Sequence, residues 1–286
     1  DYDSTETSQA TFYSNDQFND QQTYEVQFLS NATSPFSKYM NWVAGYYRLE
    51  SVGGFGSLYL TVNAAGFGSN VIGLPHLLGR LDNLLGTNLG LRVNDLINST
   101  NDVVLGNGGI LTTESDAFYL QSTIFVTDDI DLTLGARYQE EVRGITNSYL
   151  DVVSPTAGEP PNEYFESGDQ SQNIRVQNFS APDLEDDTWS PKIALQWRVQ
   201  DDFQIFGSWQ RAYKSPTYNI VNFFGSPDPV EGEEAVAAEL GFKSEWLDGA
   251  LQLNGALFAS KTDKLLTGIV SFTSGAIVRY ANAGSA

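Results

Sequence analysis

Between residues 188 and 258 apolar and polar side chains alternate, and this alternation constrains the fold more than any other feature of the chain. Ile193, Leu195 and Trp197 share one parity; Lys192, Gln196 and Arg198 share the other. After a short polar turn at 200–203 the pattern resumes. Ile205 and Trp209 then oppose Gln204, Ser208 and Gln210. A second pair of runs flanks Asp248 and Gly249. Ala238, Leu240, Phe242 and Trp246 oppose Glu239, Lys243 and Glu245, and Leu251, Leu253 and Leu257 oppose Gln252, Asn254 and Ser260. A period of two is that of a β-strand, whose side chains point alternately to opposite faces. A tight Asp-Gly turn between two such runs makes a hairpin.

Alternation alone fits two architectures. A soluble β-sandwich turns its apolar face inward. A transmembrane barrel turns it toward lipid and keeps polar groups on the lumen side. Strand length and connection length favour the barrel. The runs are about ten to fifteen residues, enough for the roughly 9–11 residues of a tilted bilayer crossing. The turns at 127–130, 200–203 and 247–250 are short, whereas the stretches 52–114, 150–187 and 215–234 are long. Short turns on one side and long loops on the other are the layout of an outer-membrane barrel. Aromatics near strand ends, among them Trp42, Tyr46, Phe118, Tyr138, Trp189, Trp209 and Trp246, are placed as interfacial girdles would be.

Several of these stretches resemble TonB-dependent outer-membrane receptors. They are Trp189-Ser190-Pro191-Lys192-Ile193-Ala194-Leu195, Tyr213-Lys214-Ser215-Pro216, the run from Ala238 through Trp246 to Gly249, and Asn282-Ala283-Gly284-Ser285-Ala286. The segments around Trp42 and around Leu132 to Tyr138 are similar to other strands of the same barrels. The resemblance implies a receptor in the outer membrane of a Gram-negative bacterium. Lipid would surround it and its own plug domain would fill it. The TonB energy-coupling complex would drive uptake of a scarce ligand such as a ferric siderophore. No plug domain is found within 1–286, and about nine strands are counted. The chain is therefore expected to be an internal part of a longer all-β, antiparallel barrel. A passive porin-like channel and a soluble β-sandwich binding module remain as alternatives.

Composition limits other chemistry. The net charge of −21 argues against nucleic acid, whose phosphates need a basic footprint. With no cysteine there is no disulfide framework or thiolate metal site. His76, the only histidine, follows Pro75 with no carboxylate ladder beside it. Neither a catalytic residue nor a metal site is assigned, and no cofactor is expected. Acidic residues such as Asp183, Glu185, Asp186 and Asp187 read as solvated loop charge.

In chain order, residues 1–22 read as an acidic loop. The 52–114 stretch reads as a long extracellular insertion, with an amphipathic helix near 74–85 carried by Leu74, Leu77, Leu78, Leu81, Leu84 and Leu85. The lumen-facing set is Arg137, Gln139, Glu141, Arg143, Lys192, Arg198, Glu239 and Lys243. Arg137 and Arg143 are expected to pair with carboxylates of a neighbouring strand or a plug. Arg211, Tyr213 and Lys214 near one strand end, with the loop aromatics Tyr218, Phe223 and Phe224, form the candidate ligand contacts.

Overall fold

The computed structural model describes residues 10–62, 103–153, 173–222, 226–270 and 278–285. Among these residues the secondary structure is all β and the strands pair antiparallel. One open sheet holds nine strands. Its path runs β1 (Ala10–Leu29), β2 (Met40–Val62), β3 (Val103–Phe125), β4 (Ile130–Val153), β6 (Leu184–Gln200), β7 (Phe203–Lys214), β10 (Glu233–Trp246) and β11 (Leu251–Asp263). The short strand β5 (Asn173–Phe179) pairs with the far end of β4. Two small ribbons, β8 (Thr217–Asn219) with β9 (Asp228–Val230) and β12 (Leu266–Val270) with β13 (Val278–Asn282), complete the described strands.

Four of the strands reach well past the expected ten to fifteen residues. β1, β2, β3 and β4 hold 20, 23, 23 and 24 residues, and the ladder pairs Ala10 with Val62 at one end of β1. The 52–114 insertion is thus narrower than expected, since 52–62 and 103–114 continue strands. The same holds for 10–22, which forms most of β1, and for 150–153. Backbone pairing persists there although the apolar contrast between the faces fades, since 14–22 is mostly polar, 53–57 and 106–109 are glycine-rich, and 58–62 and 103–105 are apolar on both faces. At Gly54, beside a register shift between Phe55 and Leu58, a Cβ would collide with the Gly109 carbonyl. The helix expected near 74–85 lies outside the described residues.

Register sorts the side chains into two faces. Tyr46, Phe118, Tyr138 and Trp189 occupy consecutive paired positions and so form one row. Their rings touch in pairs, Tyr46 with Phe118 and Tyr138 with Trp189, each at 5.0 Å between centroids. Eight residues along β6 from Trp189, Trp197 lies on the same face. At about 3.3 Å per residue this is roughly 26 Å of strand. A tilt of about 40° reduces it to roughly 20 Å of height. Between these levels lie Leu134, Ile193, Leu195, Leu240 and Leu257, all exposed.

Within β6 the apolar residues are the exposed ones. Ile193, Leu195 and Trp197 are 44%, 47% and 45% exposed, while the alternating Lys192, Ala194, Gln196 and Arg198 are partly buried. A soluble sandwich buries the first set against a second sheet. Among the described residues no second sheet covers it. Beyond the Tyr46–Trp189 row the same face changes character within one step. Arg48, Asp116, Glu140 and Asp187 form the next row, and Glu50, Glu114, Val142 and Glu185 the one after. Arg48 binds Glu50, Asp116 and Glu114 at 2.6, 2.8 and 3.2 Å. Its guanidinium is held above its ordinary range chiefly by Glu50 and then by Asp116. A face that passes from leucine through a ring of aromatics to ion pairs is the profile of a wall crossing from hydrocarbon to water.

At the opposite end the connections are short. Ser30 and Trp42 close one turn by backbone pairing, and Val126 with Ile130 closes the next. In the β10–β11 turn Leu247, Asp248 and Gly249 have φ of 57°, 56° and 84°. Glycine carries the widest of these without a Cβ penalty.

Candidate functional site

The polar face holds a ladder along β4. Residues two apart on a strand share a face, so long side chains reach one another without leaving the strand. Gln139 receives Arg137 at 3.2 Å and donates to Glu141 at 3.0 Å, and Arg143 binds Glu141 at 2.6 Å. Where pairing of Arg137 and Arg143 with carboxylates of a neighbouring strand or a plug is expected, among the described residues Arg143 instead pairs with Glu141 and Arg137 with Gln139, both on β4 itself, while Glu25 of β1 feels the Arg137 charge through space. Arg137 also lies over the Tyr47 ring at 5.3 Å. Ala117, fully buried on the intervening strand, is small enough to let the two meet above it. Arg198 binds Asp131 at 2.6 Å, and Lys243 stands 5.8 Å from the Phe206 ring centroid. Pairing of Gly135 with Lys192, Ser208 with Glu239, and Gln204 with Lys243 puts Lys192, Arg198, Glu239 and Lys243 on the face that carries Arg137 to Arg143.

The other candidate residues lie at the long-loop end of β7, where the sheet divides. β6 pairs with β7 only from Lys192–Gln210 to Gln200–Phe203, while its first half pairs with β4 alone. Pro191 sits at the dividing point. It has no amide hydrogen for either neighbour. Above it the facing edges carry Asp186 on one side and Arg211 and Tyr213 on the other. The Tyr213 hydroxyl donates to Asp186 Oδ1 at 3.2 Å across the gap. Burial first, and then the Asp186 carboxylate, pushes that hydroxyl up to about 12. Arg211 binds Glu234 at 2.8 Å and Lys214 lies 3.6 Å from Glu233.

These residues do not form one patch. Arg211 shares the apolar face with Trp209, whereas Lys214 belongs to the face of Gln210. Tyr218, expected as an exposed loop aromatic, is only 4% exposed, and its hydroxyl donates to the Pro182 carbonyl. It pins the 217–222 segment against the start of β6. Phe223 and Phe224 lie outside the described residues.

Three buried polar atoms in this region have no hydrogen-bond partner among the described residues: Asp186 Oδ2, Arg211 Nε and Ser215 Oγ. Such groups are unfavourable unless something satisfies them. In the sequence Asp186 reads as solvated loop charge, whereas here it faces Tyr213 across the divided sheet. The signal that marks it is Pro191, a residue out of place within an alternating strand. Among the described residues no group of three or more His, Asp and Glu is arranged to hold a metal ion.

Farther along the long-loop end lies a second buried polar cluster, around Asp151. Asp151 binds Arg175 of β5, whose guanidinium lies 3.7 Å from the Tyr149 ring centroid and also donates to Asn178 at 2.7 Å. Asn173 donates to Asp151 Oδ2 at 3.1 Å and Asn107 to the Tyr149 carbonyl at 2.9 Å. This network fastens β5 to β4 and has the character of an anchor.

Comparison with known proteins places the fold. A family model described as "TonB dependent receptor-like, beta-barrel" matches residues 1–286. No curated protein sequence matches the chain. Among solved structures, the ferric yersiniabactin uptake receptor FyuA from Yersinia pestis superposes with a TM-score of 0.55 at 16% identity, over 94% of this chain and 31% of that one. The siderophore receptor PiuA from Acinetobacter baumannii gives 0.43 at 18% identity, over 94% and 34%. The alcaligin outer membrane receptor FauA from Bordetella pertussis gives 0.38 at 14% identity, over 94% and 42%. The chain thus spans 31–42% of the length of these three receptors. With the family model matched from end to end, the chain belongs to the TonB-dependent receptor β-barrel family.

Proposed function

We propose that this chain forms part of the wall and outer rim of a receptor in the outer membrane of a Gram-negative bacterium. That receptor takes up a scarce ligand such as a ferric siderophore. The observation that carries this reading is the inverted single-layer sheet, with its apolar face exposed and bordered by the Tyr46–Trp189 row. In this reading the face of Arg137, Gln139, Glu141, Arg143, Lys192, Arg198, Glu239 and Lys243 lines the lumen. Its side-chain ladder supplies a polar wall against which a plug domain packs. The plug and the TonB complex supply energy coupling, as the family's name implies. The chain performs no covalent chemistry in this role.

The rim around the β6–β7 division meets the ligand. Arg211 and Tyr213 bring donors on one face of this edge and Lys214 on the other, and Asp186 and Ser215 bring unused hydrogen-bonding capacity. Tyr218 serves as a brace for that rim. In the full-length receptor Arg211→Ala is expected to weaken ligand binding about tenfold, the scale of one hydrogen bond to a charged group.

Cells lacking the gene are compared with complemented cells for uptake of radiolabelled ferric siderophores, with and without a protonophore. Uptake that needs both the gene and the proton gradient supports the proposal. Uptake that needs the gene but not the gradient replaces it with a passive channel.

A further inference from the structure

On the apolar face lies an open groove of about 290 Å³. Gly207 is its floor. Leu195 and Leu240, paired with Gly207 on either side, form its flanks. Trp209 and Trp197 line it toward its two ends on the same face.

The backbone does not require this glycine. A Cβ built on Gly207 meets only the Glu239 carbonyl at 3.5 Å and Leu240 Cδ1 at 3.6 Å, which is ordinary contact. Gly255, on the same face, behaves differently: the Phe242 ring lies across it, within 2.8 Å of where its Cβ would be. One glycine is therefore covered by a ring of its neighbouring strand, while the other is left open between two tryptophans. The groove contains no charged side chain. Its volume corresponds to about ten groups the size of a water molecule or a methylene. A slot of that size and polarity, set between the two aromatic levels, suits a hydrocarbon chain.

We propose that this groove seats one acyl chain of a bilayer lipid against the receptor wall, with Trp197 and Trp209 packing along it. The proposal rests on the membrane reading above. A groove floored by glycine and walled by leucine and indole offers a hydrocarbon chain contact along its floor and flanks. The bound lipid is thereby distinguished from the lipids that surround the rest of the wall.

The test uses the full-length protein in phosphatidylcholine bilayers containing a rising fraction of lipid brominated at mid-chain. Trp209 emission is taken as the difference between the parent and Trp209→Phe, in the Gly207 background and in Gly207→Leu. Trp246, near the short turns, is isolated in the same way as a reference. The proposal expects Trp209 quenching to fall by about half in Gly207→Leu, because the new side chain takes the place of lipid along one face of the indole. Trp246 quenching stays unchanged. Gly207→Ala, the milder change, gives a smaller fall in the same direction and guards against misfolding of the leucine variant. Equal Trp209 quenching in all three proteins overturns the groove proposal and leaves the membrane reading intact. Absence of quenching at both Trp209 and Trp246 overturns the membrane reading itself. A change in oligomer size of Gly207→Leu in detergent assigns the groove to a second copy of the chain and overturns the lipid assignment.

Discussion

Leu240→Arg separates the membrane reading from any soluble one, because the two assign opposite consequences to the same exposed side chain. Leu240 is 60% exposed and lies six residues along β10 from Trp246. That separation is roughly 20 Å of strand, or about 15 Å of height at a tilt near 40°. With Trp246 at one interface, Leu240 falls near the middle of a hydrocarbon layer about 30 Å thick. An arginine there is expected to destabilise by about 2–4 kcal/mol. This corresponds to roughly 30- to 700-fold in the folding equilibrium. On a water-facing surface the same substitution stays within about 0.5 kcal/mol. Two controls use the geometry. Glu239→Arg, one residue away on the polar face, is expected to remain within about 1 kcal/mol. Val142→Arg, two rows beyond the Tyr46–Trp189 row, is expected to do the same although it shares the face of Leu240. Guanidinium unfolding of the full-length protein refolded in phospholipid vesicles, followed by tryptophan emission, gives the three values. If Leu240→Arg costs less than about 0.5 kcal/mol, or if Glu239→Arg costs more than Leu240→Arg, the assignment of the faces is refuted.

Three further outcomes are expected. Breaking the Asp151–Arg175 pair is asymmetric, since Asp151 is 2% exposed and Arg175 42%. Arg175→Met strands a buried carboxylate and should cost about 3–5 kcal/mol, while Asp151→Asn costs less; proteolysis between β4 and β5 reports both. Gly45→Val forces a side chain into the Tyr119 ring and should cost about 1–3 kcal/mol, read from the same unfolding assay. Tyr213 should titrate at about 12, so the 295 nm difference between the parent and Tyr213→Phe appears well above pH 10. Because its folded value lies above the unfolded one, its contribution is fully present below about pH 10 and is lost as the pH rises toward 12.

The sequence reveals the fold wherever the two faces of a strand meet different surroundings. In β6, β7, β10 and β11, one face meets leucine and tryptophan and the other lysine, glutamine and glutamate, so the period of two is plain. It fades where the two faces are alike, whether both polar, both apolar or glycine-rich. This is why 10–22, 52–62 and 103–114 do not read as strands although they are paired along most of their length, with register shifts at Phe55–Leu58 and Gly108–Ile110. The short β5 is hidden among acidic and asparagine residues for the same reason. The faces of Arg137, Lys192 and Glu239 were legible from parity, since register preserves parity along a regular ladder. The partners of Arg137 and Arg143 were not, because partner choice depends on side-chain reach along one strand. Arg211, Tyr213 and Lys214 were found as neighbours in sequence. Alternation sends Arg211 and Lys214 to opposite faces, and only the broken pairing at Pro191 brings Asp186 to Tyr213.

The division at Pro191 also has a mechanical meaning. A hydrogen-bonded sheet carries load sideways from strand to strand, and here that path is cut above Lys192. Two leaves result, one ending at β6 and the other beginning at β7. Among the described residues no backbone rung joins them at this end, where they are tied by side chains such as Tyr213 to Asp186 and Tyr218 to Pro182, so they can spread or slide there. Force applied to the outer connections of β7 and β10 is therefore absorbed as splaying at the top. Below the cut, the rungs from Lys192–Gln210 to Gln200–Phe203 keep the wall stiff.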